Sequence, residues 1–408
     1  MRKFMIAAVW CLSVALTACG GGGGSSSDTS TTAASNGSGS ASNPSGPVQN
    51  TMSVTVGPNV YRVANSLSAS VTICVPGTTT CQTINNILVD TGSYGLRLMA
   101  SAVTVPLPKV SAAAGGTLAT CAAFGSGTTF GSVARADVKL AGEVASSTPV
   151  QIIGDSSVGT SPADCTNQGA VDLSTAQGMG SNGILGVGLE SADCGPGCVV
   201  NTYAAEPAYF GCTSTASCVA TTVALADQVT NPVSMFAADN NGVLIQLPAV
   251  ATGGTQSVTG TLTFGIGTQS DNALGSATVY TLDAQNRLST QYKGSSYANA
   301  FIDSGSNGLF FDDSSITQCA ASSTFYCPLS NTALSAVMAG ANGKDTALDF
   351  TIGNFNTMAT SGAYAMSALG GFGPGVFDWG LPFFFGRTIY TAIDGKSTSG
   401  GTGPYYAF

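Results

Sequence analysis

The chain carries the octet Val89-Asp90-Thr91-Gly92-Ser93-Tyr94-Gly95-Leu96 and, 213 positions further on, the octet Ile302-Asp303-Ser304-Gly305-Ser306-Asn307-Gly308-Leu309. Each follows a strand-like apolar run, Ile87-Leu88-Val89 in the first and Ala300-Phe301-Ile302 in the second. A single Asp-Thr/Ser-Gly is ordinary turn chemistry. Two copies with the same apolar approach and the same Gly-Leu exit point to a duplicated half-molecule. In each copy a buried strand ends by presenting an Asp. The Thr91 or Ser304 hydroxyl can bond backbone and fix the loop, and Gly92 or Gly305 permits a tight turn and close approach of another backbone. Ser93 or Ser306, three places after the acid, can donate to its carboxylate. A pseudo-twofold axis between the loops would bring Asp90 and Asp303 face to face. Like charges that close cannot both ionise, so the pair holds one proton. It can clasp a water, one carboxylate accepting its proton while the other acid donates to a carbonyl oxygen, which is amide hydrolysis.

The composition agrees with that chemistry and excludes others. The 408 residues include no histidine, which removes Ser-His-Asp and Cys-His catalysis and His-ligated metal sites. Net charge is -9, from 12 Lys+Arg against 21 Asp+Glu, with no basic cluster, so nucleic acid is not an expected partner. Charged residues are only 8%, while 44% are hydrophobic, enough for a sizeable core. Short strands bounded by Gly, Asn, Ser and Pro recur, as in Ser53–Val56, Ser70–Ile73 and Gly260–Phe264. Helical periodicity is confined to Val223–Val229 and Leu334–Met338, so the class is mainly β.

The first residues read as an address. Arg2 and Lys3 precede the apolar run Phe4–Leu16, too short for a comfortable bilayer span and suited to a signal segment. Leu16-Thr17-Ala18-Cys19-Gly20 resembles the bacterial lipobox, which implies removal of residues 1–18 and lipidation of Cys19. Gly20 after the Cys, by resemblance to sorting in Gram-negative bacteria, implies the outer membrane, facing the periplasm or the cell surface. Residues 19–50 are rich in Gly, Ser, Thr and Asn and are expected to form a flexible tether. About 30 such residues reach roughly 30 Å on average. Beyond Cys11 and Cys19 ten cysteines remain, an even number that in an exported chain reads as disulfides. Cys74/Cys81 and Cys319/Cys327 are local pairs. The four from Cys194 to Cys218 suggest a knotted insert, and Cys121 and Cys165 are left to pair. Zinc at Cys194-x3-Cys198 and Cys212-x5-Cys218 is the competing idea, weakened by loose spacing and an oxidising compartment.

From about residue 51 onward the chain resembles the bilobal, pepsin-like (A1-type) aspartic peptidases. Asp90-Thr91-Gly92-Ser93 and Asp303-Ser304-Gly305-Ser306 match that family's two catalytic loops. Ala123–Gly131, with Phe124, Gly125, Ser126 and Gly127, resembles its substrate-covering flap hairpin. Asn182–Leu189 and Trp379–Phe384 resemble the two hydrophobic-Gly elements that pack beside the catalytic loops. The chain is also similar to a bacterial lipoprotein family described only as a domain of unknown function. The resemblance implies an all-β fold with two pseudo-twofold-related lobes, about 51–240 and 241–408, flanking a cleft. It implies an aspartic-type endopeptidase, acting as a monomer on polypeptide, with Asp90 and Asp303 as the dyad and no cofactor. Ser93 and Ser306 would then bond the outer carboxylate oxygens, and Thr91 and Ser304 would lock the loops together.

Three positions depart from the family pattern. Phe124 stands where the flap carries Tyr, Arg97 where a Trp braces that Tyr, and Asp378 where a second apolar residue is expected. Arg97 is expected to snorkel to solvent, with stacking on an aromatic ring as the alternative. Asp137, Asp155, Asp271, Asp312 and Asp313 read as turn or solvated acids. Tyr94 and Asn307 read as cleft-wall residues, and Met99, Phe310, Phe311, Phe383, Phe384 and Phe385 as core. The alternative function is a catalytically silent module that binds a peptide, glycan or partner protein in the same cleft. Carboxylate-pair glycoside hydrolysis is a weaker third reading, because such loops hold the acids too close for a sugar to pass between.

Overall fold

A computed structural model describes residues 49–165, 171–200, 207–320 and 322–408. Cys19, the segment before it and the tether up to residue 48 lie outside the described residues. Asn50 is buried, and its side-chain amide donates to the carbonyl of Phe264 at 3.0 Å.

The fold is all-β, and it is built twice. The strand Cys81–Asp90 runs parallel to Gly183–Val187, with Val89 opposite Leu185 and Asp90 opposite Gly186. The strand Tyr94–Met99 lies on the other side of Gly183–Val187, antiparallel, with Leu96 opposite Leu185. The second half repeats this. Ser295–Ile302 runs parallel to Phe377–Trp379, with Ile302 opposite Trp379, and Leu309–Phe311 is antiparallel to the same strand, with Leu309 opposite Trp379. In each half, therefore, a strand from much later in the sequence inserts between the strand that ends at the Asp and the strand that leaves it. The inserted strand and the strand that leaves the Asp are almost wholly buried in each half, while the strand that leads to the Asp is exposed at its start and buried at its Asp end. The two halves flank a cleft, as the pepsin-like resemblance implies.

A shared sheet joins the halves. Thr51–Val56 pairs with Leu67–Cys74 on one side and Val258–Phe264 on the other, and Gly242–Gln246 continues the sheet to Thr388–Ala392. One hydrophobic core runs through both halves, from Val54 and Leu96 to Leu309 and Trp379. In the second half it is aromatic: Phe311 stacks on Phe377 with centroids 5.0 Å apart, and Phe350 meets Trp379 edge-on at 5.6 Å. Such pairs contribute about 0.5–1.5 kcal/mol each beyond burial and stiffen the strands beneath the second loop. Met99, Phe310, Phe311, Phe383, Phe384 and Phe385 are all buried.

Two local expectations are corrected. Leu334–Met338 is not helical; it lies in the strand Thr332–Ala339, paired along its length with Asp345–Ile352. Its burial alternates with period two, so the short apolar run satisfied strand pairing instead. Val223–Val229 holds only a single 3-10 turn, Leu225–Asp227.

The ten cysteines form five disulfides: Cys74–Cys81, Cys121–Cys165, Cys194–Cys198, Cys212–Cys218 and Cys319–Cys327. The four between Cys194 and Cys218 close two separate small loops, not a knot. Cys212–Cys218 joins neighbouring antiparallel strands as a direct cross-strand pair.

Candidate active site

Each Asp closes its own loop. The Gly92 N–H donates to Asp90 Oδ1 at 2.8 Å and the Ser93 hydroxyl to Asp90 Oδ2 at 2.5 Å. In the second loop the Gly305 N–H donates to Asp303 Oδ1 at 2.7 Å and the Ser306 hydroxyl to Asp303 Oδ2 at 2.8 Å. Four donors thus face two carboxyls in matching geometry, as a site built to hold negative charge requires.

The loops also lock each other. The Thr91 N–H donates to Ser304 Oγ at 3.1 Å, and the Ser304 N–H donates to Thr91 Oγ1 at 2.9 Å. The Ser304 hydroxyl then donates to the carbonyl of Val89 at 2.8 Å, and the Thr91 hydroxyl to that of Ile302 at 3.4 Å. Both side chains are buried. Two glycines decide how closely the carboxyls meet. A Cβ on Gly92 would lie 2.6 Å from Asp303 Cγ, and one on Gly305 would lie 2.5 Å from Asp90 Oδ1. Each carboxyl therefore occupies the space a side chain would take on the opposite loop. Asp90 and Asp303 are hydrogen-bonded to each other, and burial first, then the charge of Asp303, pushes the Asp90 carboxyl well above the usual range.

The pair forms part of the wall of a cavity of about 710 Å³, together with Ser93, Ser306, Tyr94 and Asn307. The hairpin of Thr117–Phe124 and Gly127–Leu140 reaches this cavity, with Phe124 opposite Gly127 across the two-residue turn Gly125-Ser126. Phe124, half-buried, and Gly125 and Ser126 line the cleft. Gly127 does not. It backs onto the carbonyl of Val171 with φ +154°, so its place is structural and any side chain there would strike that carbonyl.

Arg97 is corrected from the solvent-directed reading. It is 3% exposed, ion-paired with Asp193 at 2.9 Å and bonded to Gln151 Oε1 at 2.8 Å. Its guanidinium lies 5.9 Å from the centre of the Phe124 ring, within cation–π range. Asp193 also accepts from the Tyr209 hydroxyl at 2.6 Å. Phe124 and Arg97 thus support the hairpin by a ring–cation contact anchored on a buried ion pair. Asp313 is corrected as well. It is buried, takes Lys293 Nζ at 2.8 Å and the Tyr292 hydroxyl at 2.5 Å, and against the upward pull of burial these bonds hold its carboxyl down at about 2. Asp155 is similarly occupied, by Lys109 at 2.7 Å and by Ser132. Asp137 accepts the N–H groups of Gly77 and Ser147 at 2.8 and 2.7 Å. Asp271 accepts from Asn50 and Thr51, and Asp312 is exposed.

Sequence reasoning singled out Asp378 as a departure but did not see that it enters the site. It lines the same cavity, is 2% exposed, and its Oδ1 has no hydrogen-bond partner among the described residues. Burial, then the nearby charge of Asp303, raises its carboxyl well above the usual range. The available signal was its place one residue before Trp379, which pairs with Ile302 beside the second Asp.

No curated protein matches the chain. Among solved structures it is similar to an aspartic proteinase from Irpex lacteus, at 17% identity and a TM-score of 0.46, over 87% of this chain and 96% of that one. The family described as "Protein of unknown function (DUF3443)" matches residues 46–408, so the chain belongs to that family.

Proposed function

We propose that the chain is an aspartic-type endopeptidase, held to the outer membrane of a bacterial envelope by a lipid on Cys19. The observation that carries this reading is the mutual hydrogen bond of Asp90 and Asp303, each carboxyl seated against the other loop's glycine at an open cleft. Such a pair retains one proton at mild acidity and can hold a water between its outer oxygens. The ionised member takes a proton from that water as its oxygen attacks the peptide carbonyl. The protonated member donates to the carbonyl oxygen, and a proton returned to the nitrogen completes the cleavage. The Ser93 and Ser306 hydroxyls stabilise whichever carboxylate is charged, and the Phe124 hairpin covers an extended peptide lying across the dyad. The chemistry requires only these side chains and water. Carboxyls in direct hydrogen-bond contact leave no room for a sugar ring between them, which disfavours glycoside hydrolysis.

Digestion of an unfolded protein across acid pH, with and without a statine-type inhibitor, tests the reading. Cleavage is expected on the acid side, blocked by the inhibitor and abolished by Asp90→Asn and by Asp303→Asn. Cleavage that survives both substitutions overturns it. A second reading, a silent peptide-binding module, is favoured by Phe124, which lacks the hydroxyl of the expected flap Tyr. Inhibitor binding by the wild type without any cleavage would select it.

A further inference from the structure

The two walls of the cleft differ in chemistry beside the dyad. In the first half Leu88 and Ile184 stand opposite each other in parallel strands, and both line the cavity. The same register in the second half pairs Phe301 with Asp378, and these line it too. Ile184 and Asp378 are therefore structural twins, one a hydrocarbon and the other a carboxyl. Successive side chains of a strand alternate between its two faces. Phe377 and Trp379 belong to the core, so Asp378 between them is turned to the cleft.

A carboxyl at that place costs the fold stability. Asp378 is 2% exposed, its Oδ1 has no hydrogen-bond partner among the described residues, and the rings of Phe301 and Phe310 flank it across the strands. The charges that act on it are those of two more acids, Asp303 and Asp90. Five acids line the cavity, Asp90, Glu190, Asp283, Asp303 and Asp378. Arg287 is the only cation of that wall among the described residues, and its guanidinium lies over the Phe301 ring, 5.2 Å from the centre. A ligand side chain that brings both a positive charge and N–H donors would supply what Asp378 lacks. An uncharged donor would satisfy the oxygen but leave the crowded acids unbalanced. Burial and Asp303 push the empty Asp378 carboxyl well above the usual range, and an adjacent cation favours its ionised form again. An extended peptide turns successive side chains to opposite sides. With the scissile bond over the dyad, the two residues that flank it face the two walls. Resting on the peptidase reading above, we propose that Asp378 is a specificity-determining residue: it receives a lysine or arginine side chain of the substrate, while the wall of Leu88, Ile184 and Phe124 receives an apolar one. The cleaved bond thus joins a basic residue to an apolar residue.

Calorimetry of the full chain with peptides that carry an uncleavable hydroxyethylene isostere of the scissile bond tests this. One flank of the isostere bears a leucine side chain. The other bears a butylammonium, butyl, carboxamide or carboxylate group, and the peptides are made in both orders. In one of the two orders the butylammonium compound should bind roughly 10- to 100-fold more tightly than the butyl and carboxamide compounds, with the carboxylate weakest. Asp378→Asn, close to the native residue in shape, should erase that preference. Asp378→Ile, the twin's residue, should turn it toward butyl. Equal binding of the butyl and butylammonium compounds by the wild type, or an Asn variant that keeps the preference, overturns the proposal and leaves the dyad reading standing. The wild-type comparison decides even where a variant fails to fold. A preference for the cation without cleavage of any peptide keeps the role of Asp378 and removes the peptidase reading. A wild type that binds none of the compounds overturns both.

Discussion

Replacing Ser304 by Ala removes one hydroxyl that serves two backbone groups of the opposite loop. The Thr91 N–H loses its acceptor at 3.1 Å and the Val89 carbonyl loses its donor at 2.8 Å, both at a fully buried position. An orphaned buried polar group costs roughly 1–3 kcal/mol, so the substitution should cost roughly 2–6 kcal/mol. That is a large part of the 5–15 kcal/mol, roughly, that holds a typical domain folded. Urea unfolding can be followed through Trp379, which is buried and whose indole N–H bonds Thr290 at 3.1 Å. With a slope of about 3 kcal/mol per molar, the midpoint should fall by roughly 0.7–2 M. Ser304→Thr, which installs the residue used by the twin loop, should recover most of the loss. The Ala variant should also lose any cleavage activity, since the same bonds align the carboxyls. An Ala midpoint within about 0.2 M of wild type would refute the interlock as a source of stability.

Gly92→Ala and Gly305→Ala should each abolish inhibitor binding, because the new methyl would lie 2.6 Å from Asp303 Cγ or 2.5 Å from Asp90 Oδ1; calorimetry with a statine peptide checks this. The Asp90 carboxyl is raised in the folded state, so it contributes stability at low pH that is lost as pH rises from about 4 through its folded value. Asp90→Asn should flatten that decline in a series of melting curves. Glu143 is raised to about 7 by burial and by Asp239, to which it is hydrogen-bonded. Its ionisation should weaken the fold as pH rises from about 4.5 through 7, so Glu143→Gln should melt higher than wild type above neutrality and show little difference at pH 4. Cys19→Ser should abolish incorporation of labelled fatty acid and release the protein from the membrane fraction.

What could be read before the fold was known depended on how far apart in sequence the interacting residues lie. The dyad was legible because each loop's chemistry is local: Gly92 and Ser93 bond Asp90 within three residues, and Gly305 and Ser306 repeat this at Asp303. The duplication then supplied the long-range contact by symmetry. Arg97 had no such help, since its partner Asp193 is 96 positions away and nothing near either marks the pair. An isolated Arg in a strand reads as solvent-facing; only the folded sheet shows that this strand is covered on both sides. Asp378 was visible as an anomaly, but its place in the cleft wall required the inserted strand Phe377–Trp379, which sets it opposite Phe301. Leu334–Met338 was ambiguous because five apolar-rich residues fit either period, and the partner strand Asp345–Ile352 settled it.

The inserted strands also set a schedule. Asp303 is held by a strand, Phe377–Trp379, that lies more than seventy residues further along the chain, and the sheet joining the halves is closed by Thr388–Ala392. A chain interrupted during synthesis, even one that already includes both acids, lacks the middle rail of the second trio and cannot present them to each other. Truncated copies cannot bring the two acids together, and the finished molecule pairs them only when its last few dozen residues are in place.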